Sequence, residues 1–226
     1  MQRTVSYSIR SIGMVMNLFP TTVVDNFFDD PDYVLGLAKE VEYTDPSPTN
    51  HPGVVSKLKM HEINKKLFDT IVQKIFGYFW DLRNPLRYMV DIEFQKIDSI
   101  GEGIIHVDSD GALAAGIIYL DRNAPRDTGT SFYRLLDDTY NIKQEFLDSI
   151  AKYHAGETVD NIDQIRRDHY NRFEETMRVQ NQYNRLVFYS GDIWHTATSY
   201  KNQTRYTLRF FVSEVLSNHQ NFPLLR

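Results

Sequence analysis

The sequence predicts a mainly β fold with flanking helices: a double-stranded β-helix, or jelly roll, with N-terminal support helices and a helical insertion. Three observations carry this. Between about residues 85 and 215 the chain offers about eight short runs rich in β-branched and aromatic residues, separated by turn-forming stretches. A long segment of helical period precedes them. A second helical pattern interrupts the strands over residues 136–173. All 226 residues are expected to form one domain, with the helical support over about 29–80, the core over about 85–215 and the insertion inside it.

Taken in order, residues 15–19 and Val23-Val24 suggest short strand pieces around Pro20. Asp29-Asp30-Pro31-Asp32 is a helix start, with an acidic cap, proline in the first turn and an acid beside the positive helix end. Val34, Leu37, Ala38 and Val41 continue it at helical spacing, to an end near Tyr43. Pro46, Pro48 and Pro52 make residues 45–53 a loop. Residues 62–80 form the clearest helix: Ile63, Leu67, Ile71, Ile75 and Phe79 recur every four residues, and Phe68, Val72 and Phe76 widen the stripe. His61, near its start, reads as a solvated terminal residue.

Residues 88–97 alternate as a strand, with Val90, Ile92 and Phe94 on one side. Residues 112–120 form another, whose small residues Ala112, Ala114, Ala115 and Gly116 imply close packing. A polar loop with Pro125 leads to a short strand at 130–133. In the insertion, Ile142, Phe146, Leu147, Ile150 and Tyr153 share one helical face, and Ile162, Ile165, His169 and Phe173 suggest a second helix. Both carry many charges opposite, so the insertion reads as a solvated excursion, with a lid or oligomer contact as the functional alternative. Strands resume at 174–180 and 185–189, turn at Ser190-Gly191-Asp192, restart at Trp194-His195 and finish over 205–215. The tail from residue 217 is polar.

Composition narrows the function classes. With no cysteine, disulfides, zinc–thiolate sites, iron–sulfur clusters and cysteine nucleophiles are excluded. A net charge of −5 without a basic stripe argues against nucleic acid. No run is apolar enough for a membrane span or a signal peptide, so a soluble, intracellular (cytoplasmic) protein is expected.

The candidate site comes from three separated stretches. In Gly103-Ile104-Ile105-His106-Val107-Asp108, a strand end would project His106 and Asp108 to the same side, giving one nitrogen and one carboxylate ligand. His195 follows the apolar run 186–189. Two histidines and a carboxylate on one face of a metal leave three positions open, the arrangement of non-haem Fe(II) oxygenases. Arg205 lies ten residues beyond His195. In the strand it opens, Tyr206, Leu208, Phe210 and Val212 share an apolar face, and Arg205, Thr207 and Arg209 fall on the other. A buried guanidinium asks for an anion, and its planar fork matches a carboxylate. Tyr119, at the end of the small-residue strand, could add a phenol donor. Arg209 is left between pairing with an acid and binding substrate. Asp108-Ser109-Asp110 also offers Asp110 as the carboxylate, or a cation site of a metal-dependent transferase using Asp108 and Asp110.

These residues resemble the 2-oxoglutarate/Fe(II)-dependent dioxygenase superfamily, most of all its prolyl 4-hydroxylase-like branch. His106-x-Asp108, the distal His195 and Arg205-x-Thr207 match its motif positions; Tyr119-Leu120-Asp121 is similar to its Tyr-Leu-Asn strand end, and Gly129-Thr130 to its Gly-Gly. The resemblance spans about residues 85–215 and implies a cupin-like jelly roll. It implies Fe(II) on His106, Asp108 and His195, with 2-oxoglutarate chelating the metal and its far carboxylate on Arg205, Thr207 and Tyr119. It implies O2 as second cosubstrate, and hydroxylation of a protein side chain (prolyl-type) or a small molecule with release of succinate and carbon dioxide. Phe94-Gln95-Lys96-Ile97 stands where prolyl hydroxylases often carry a tyrosine, so the primary substrate stays open. The alternative from another class is a non-catalytic jelly-roll binding or structural module.

Overall fold

The structure, a computed structural model, describes residues 21–44, 53–78, 86–98, 103–108, 111–125, 127–137, 142–154, 156–198 and 204–216. The strand expected at 15–19, nearly all of the loop at 45–53, the 79–80 end of the long helix, Asp110 and the tail from residue 217 lie outside them.

In chain order the elements are β1 (Thr22–Val24), α1 (Pro31–Glu40), β2 (Val54–Val55), α2 (Met60–Ile63), α3 (Lys65–Gly77), β3 (Arg87–Asp98) and β4 (Ala114–Tyr119). There follow β5 (Thr130–Leu135), α4 (Gln144–His154), α5 (Ile162–Tyr170), β6 (Phe173–Val179), β7 (Leu186–Ser190), β8 (Trp194–Ala197) and β9 (Thr204–Leu216). They build two antiparallel sheets, a large one in the order β1-β7-β4-β9-β3-β2 and a small one in the order β6-β5-β8. This is the expected jelly roll.

Strand alternation divides the apolar residues into two cores. On the outer face of the large sheet, Ile92, Phe94, Ile118, Leu186, Phe188, Leu208, Phe210 and Val212 pack against Val34, Ala38, Ile71, Val72, Ile75 and Phe76 of the helices. Each fully buried Ile or Phe stabilises by about 1.5–3 kcal/mol. On the inner face, Ala115, Tyr119, Val187 and Tyr189 meet Phe132 and Val179 of the small sheet. The β9 parity read from sequence holds: Leu208, Phe210 and Val212 face the helices, and Arg205 and Arg209 line the space between the sheets. Gly116 pairs with Phe188 on one side and Phe210 on the other, whose rings stack 5.6 Å apart across it.

Two helical expectations change in detail. α1 begins as predicted, with Asp30 accepting from the Tyr33 amide, but closes at Glu40 because Val41 turns extended. The single helix expected at 62–80 is two, split at Asn64, whose side chain accepts from the Leu67 amide and caps α3. A short polar side chain that can bond its own backbone competes with helix continuation, and the apolar stripe on either side conceals the break. His61 is exposed, as expected, on α2. Among the described residues no helix is long and apolar enough to cross a membrane.

The insertion departs from the solvated excursion expected. Ile150 and His169 are buried, and the ring of Phe146 stacks on that of His169 at 4.4 Å. Both buried residues, and Phe146, fall on the helical faces that the spacing marked out.

Candidate functional site

Residues 103–108 do not form the ladder strand expected of them. Their strand-like pairing is one isolated bridge, in which the His106 amide donates to the His195 carbonyl at 3.0 Å and the His195 amide donates to the His106 carbonyl at 2.9 Å. One residue pair suffices to set the alternation, so His106 and Asp108 still face the same way. The Asp108 amide donates to the Gly191 carbonyl at 2.8 Å, and the Gly191 amide to the Leu113 carbonyl at 3.0 Å. A Cβ on Gly191 would lie 2.0 Å from the Ala112 carbonyl oxygen, so only glycine lets this turn approach so closely.

The orientation of the two imidazoles is set by backbone carbonyls. His106 Nδ1 lies 2.9 Å from the Ile104 carbonyl, and His195 Nδ1 lies 2.9 Å from the Ile193 carbonyl. A carbonyl can only accept, so each Nδ1 carries a proton, and a neutral ring held this way turns the lone pair of its Nε2 to the centre. The Asp108 carboxylate sits between them, with Oδ1 3.6 Å from His106 Nε2 and Oδ2 3.4 Å from His195 Nε2. One donor atom from each residue lies within 4.8 Å of the others. Adjacent ligands about 2.1 Å from one ion stand roughly 3.0 Å apart, so the two carboxylate–imidazole gaps need to close by only about half an ångström. Burial, then the neighbouring His106, holds the His195 imidazole well below its usual range. It is therefore neutral, the form that ligates. The donor set fits a divalent transition metal of the iron type.

Tyr189, missed at the sequence level, adjoins this centre: its hydroxyl lies 3.0 Å from His195 Nε2. Burial pushes its phenol well above the usual range, so it stays protonated and donates. Parity along β7 was the available signal, since Tyr189 shares the inner face with Val187.

The same pocket is lined by His106, Asp108, His195 and Arg205. Arg205 is buried, with its guanidinium 5.3 Å from the Tyr119 ring centroid. The other two predicted anion-binding residues stand behind the wall. The Tyr119 hydroxyl and Thr130 Oγ1 are 2.6 Å apart, and Thr207 Oγ1 donates to Gln95 Oε1 at 3.4 Å. Thr130 and Gln95, to which the motif comparison gave no binding role, line the pocket. Arg209 also lines it and resolves toward an acid partner: its Nε and Nη2 donate to Glu93 Oε1 at 2.8 and 2.5 Å, and Lys59 Nζ donates to Glu93 Oε2 at 2.5 Å. Burial raises the Glu93 carboxyl, but these two cations outweigh it and hold it below the usual range. Nearby, burial pushes Asp121 up to about 6 even though the Tyr206 amide donates to it. His169 stays outside the cluster; its Nε2 lies 2.8 Å from the Ile105 carbonyl.

Comparison with known proteins bears on the fold. A model of a family of unknown function, DUF6445, matches residues 6–206. No curated protein matches. Among solved structures the chain is similar to a prolyl hydroxylase from Trichoplax adhaerens in complex with a hypoxia inducible factor oxygen degradation domain peptide fragment. That match has 12% identity and a TM-score of 0.52, over 85% of this chain and 83% of that one. It is similar to an oxidoreductase of the 2OG-Fe(II) oxygenase family from Burkholderia pseudomallei, with 12% identity and a TM-score of 0.52 over 85% and 84%. HygX from Streptomyces hygroscopicus, with nickel and 2-oxoglutarate bound, matches at 11% identity and a TM-score of 0.50 over 85% and 82%. At such identities the likeness establishes the fold, which is that of the 2-oxoglutarate/Fe(II) oxygenases, prolyl hydroxylases among them.

Proposed function

The chain belongs to DUF6445, a family of unknown function, and we propose that it is an Fe(II)- and 2-oxoglutarate-dependent dioxygenase formed by a single domain. The observation that carries the reading is the pair of imidazoles whose Nδ1 protons are committed to backbone carbonyls, leaving both Nε2 atoms aimed with Asp108 at one point. Two imidazoles so oriented beside one carboxylate make up the donor set of a facial metal site.

In this reading His106, Asp108 and His195 hold Fe(II), and three positions remain for cosubstrates. Bound iron and 2-oxoglutarate supply dioxygen activation, with succinate and carbon dioxide as co-products and hydroxylation as the outcome. The chain's own residues bind and orient. Arg205, buried on the inner face of β9, takes the far carboxylate of 2-oxoglutarate through its planar fork. Thr130, backed by Tyr119, and Gln95, backed by Thr207, offer polar contacts from the pocket wall. The inner core of Phe132, Val187 and Tyr189 keeps bulk water from the reacting end. The primary substrate is a protein side chain of the prolyl type or a small molecule.

The test is anaerobic absorption spectroscopy of metal-free protein titrated with Fe(II) and then 2-oxoglutarate. A visible charge-transfer band that needs both, and is lost in His106→Ala and in His195→Ala, is expected. Arg205→Met should weaken 2-oxoglutarate by about 2–4 kcal/mol, roughly thirty- to several-hundred-fold. Iron binding without the band would leave a metal-holding module that does not use this cosubstrate. Folded protein that binds no iron would favour a non-catalytic jelly roll.

A further inference from the structure

The segment that carries two of the three ligands is held from both sides, by different means. In extended backbone the N–H and C=O of one residue point to the same edge, and those of its neighbours to the opposite edge. The edge at His106 bonds to His195. On the opposite edge stand the carbonyls of Gly103 and Ile105, and no strand covers it among the described residues. Side chains from α5 take that place: His169 Nε2 donates to the Ile105 carbonyl at 2.8 Å, and the Tyr170 hydroxyl donates to the Gly103 carbonyl at 2.7 Å. Both rings are themselves fixed. His169 is 2% exposed, lies between the stacked Phe146 of α4 and the edge-on Phe173 of β6, and Tyr170 stands edge-on to Tyr133 of β5.

We propose that the helical insertion is a side-chain substitute for a missing strand, and that His169 and Tyr170 are positioning residues holding residues 103–108 in ligand geometry. This rests on the reading of His106, Asp108 and His195 as metal ligands. The backbone at 103 and 105 is buried, so these carbonyls need partners, and the insertion supplies donors that a coil segment lacks. Because the donors sit on a helix packed through Phe146, a shift of α4 or α5 would be felt at the metal. The insertion is then part of the metal centre's support rather than a lid.

The test compares wild type with His169→Leu, His169→Gln and Tyr170→Phe by two measurements on the full chain. One is Mn(II) affinity by electron paramagnetic resonance; the other is hydrogen exchange at the His106 and Asp108 amides without metal. His169→Leu should weaken Mn(II) about 10- to 100-fold, the range for partners that orient ligands, and should speed exchange at both amides. His169→Gln, which keeps a donor at similar reach, should recover most of both effects. Tyr170→Phe removes one hydroxyl with little threat to folding and should give a smaller change in the same direction. Unchanged amide exchange and unchanged Mn(II) affinity in both His169→Leu and Tyr170→Phe would overturn the proposal. So would a loss in His169→Leu that glutamine does not restore. If wild type binds no Mn(II) yet the amides respond as described, the clamp stands and the metal reading fails.

Discussion

Replacing Gly116 by alanine should destabilise the protein mainly through one pair of rings, with the Val187 carbonyl oxygen, 2.7 Å from the added Cβ, as a second contact. Gly116 lies on the outer face of the large sheet, paired with Phe188 on β7 and Phe210 on β9, and those rings stack over it with their planes 20° apart. A Cβ there would lie 2.2 Å from Phe210 Cζ and 2.6 Å from Cε1. Ordinary carbon contact needs about 3.5–4.0 Å, so the ring must retreat by roughly 1.3–1.8 Å into a filled core. Overpacking of that order costs about 1–3 kcal/mol, and a disturbed aromatic pair adds about 0.5–1.5 kcal/mol. Alanine's lower backbone entropy returns about 0.5–1 kcal/mol. The net expectation is a loss of about 1–3 kcal/mol, or roughly 2–12 °C in Tm for a chain of this size. The assay is urea denaturation of Gly116→Ala, Phe210→Leu and the double variant. The two changes should couple by at least about 1 kcal/mol, because leucine vacates the contested space. Gly116→Ala within 0.5 kcal/mol of wild type, or additive losses, would refute the reasoning.

Other expectations follow from polar groups around the pocket. Tyr189→Phe removes a hydroxyl that donates to the lone pair a metal would use, so Mn(II) should bind about two- to tenfold more tightly, given about 0.5–1.5 kcal/mol for one hydrogen bond. Weaker Mn(II) binding in that variant would show that the hydroxyl supports the centre rather than competing with it. Buried His169 and half-buried Asp121 should tilt stability with pH in opposite directions. Burial depresses His169 to about 4 from 6.5, so the unfolded chain binds the proton first and stability falls as pH drops between those values. Burial raises Asp121 to about 6 from 3.8, so the folded chain holds the proton and stability falls as pH rises through that range. Each contributes on the order of 3 kcal/mol at most, and the two offset near pH 4–6. Urea midpoints against pH should therefore gain a rising slope in Asp121→Asn and a falling slope in His169→Gln. Slopes of the same sign in both variants would contradict this.

What the sequence made legible was what periodicity encodes. The alternation in β9 assigned Arg205 and Arg209 to one face and the aromatic and aliphatic residues to the other, and the four-residue recurrence located α3. The three candidate ligands were named from residue type and spacing, and the fold does bring them together. What escaped were contacts made by polar groups over long separations. The acid partner of Arg209 is 116 residues away in Glu93, and no local pattern joins them. The spacing placed His169 on the packed face of α5, but not its bond to the Ile105 carbonyl, 64 residues away. Residues 103–108 looked like a strand because their residue types suit one; whether a second strand would cover their other edge is a property of the whole topology.

The bond pair between the backbones of His106 and His195 joins points far apart in the chain, across β4, β5, both insertion helices, β6 and β7. Closing so long a loop is among the costlier steps in assembling the chain. The two imidazoles come into register only after β8 has docked on β5, so on the proposed reading a refolding chain has nothing to offer an ion until late. An ion captured there acts after the rate-limiting event: added Mn(II) should slow unfolding as its concentration rises and leave the refolding rate unchanged. Metal would lock the finished barrel rather than help it close.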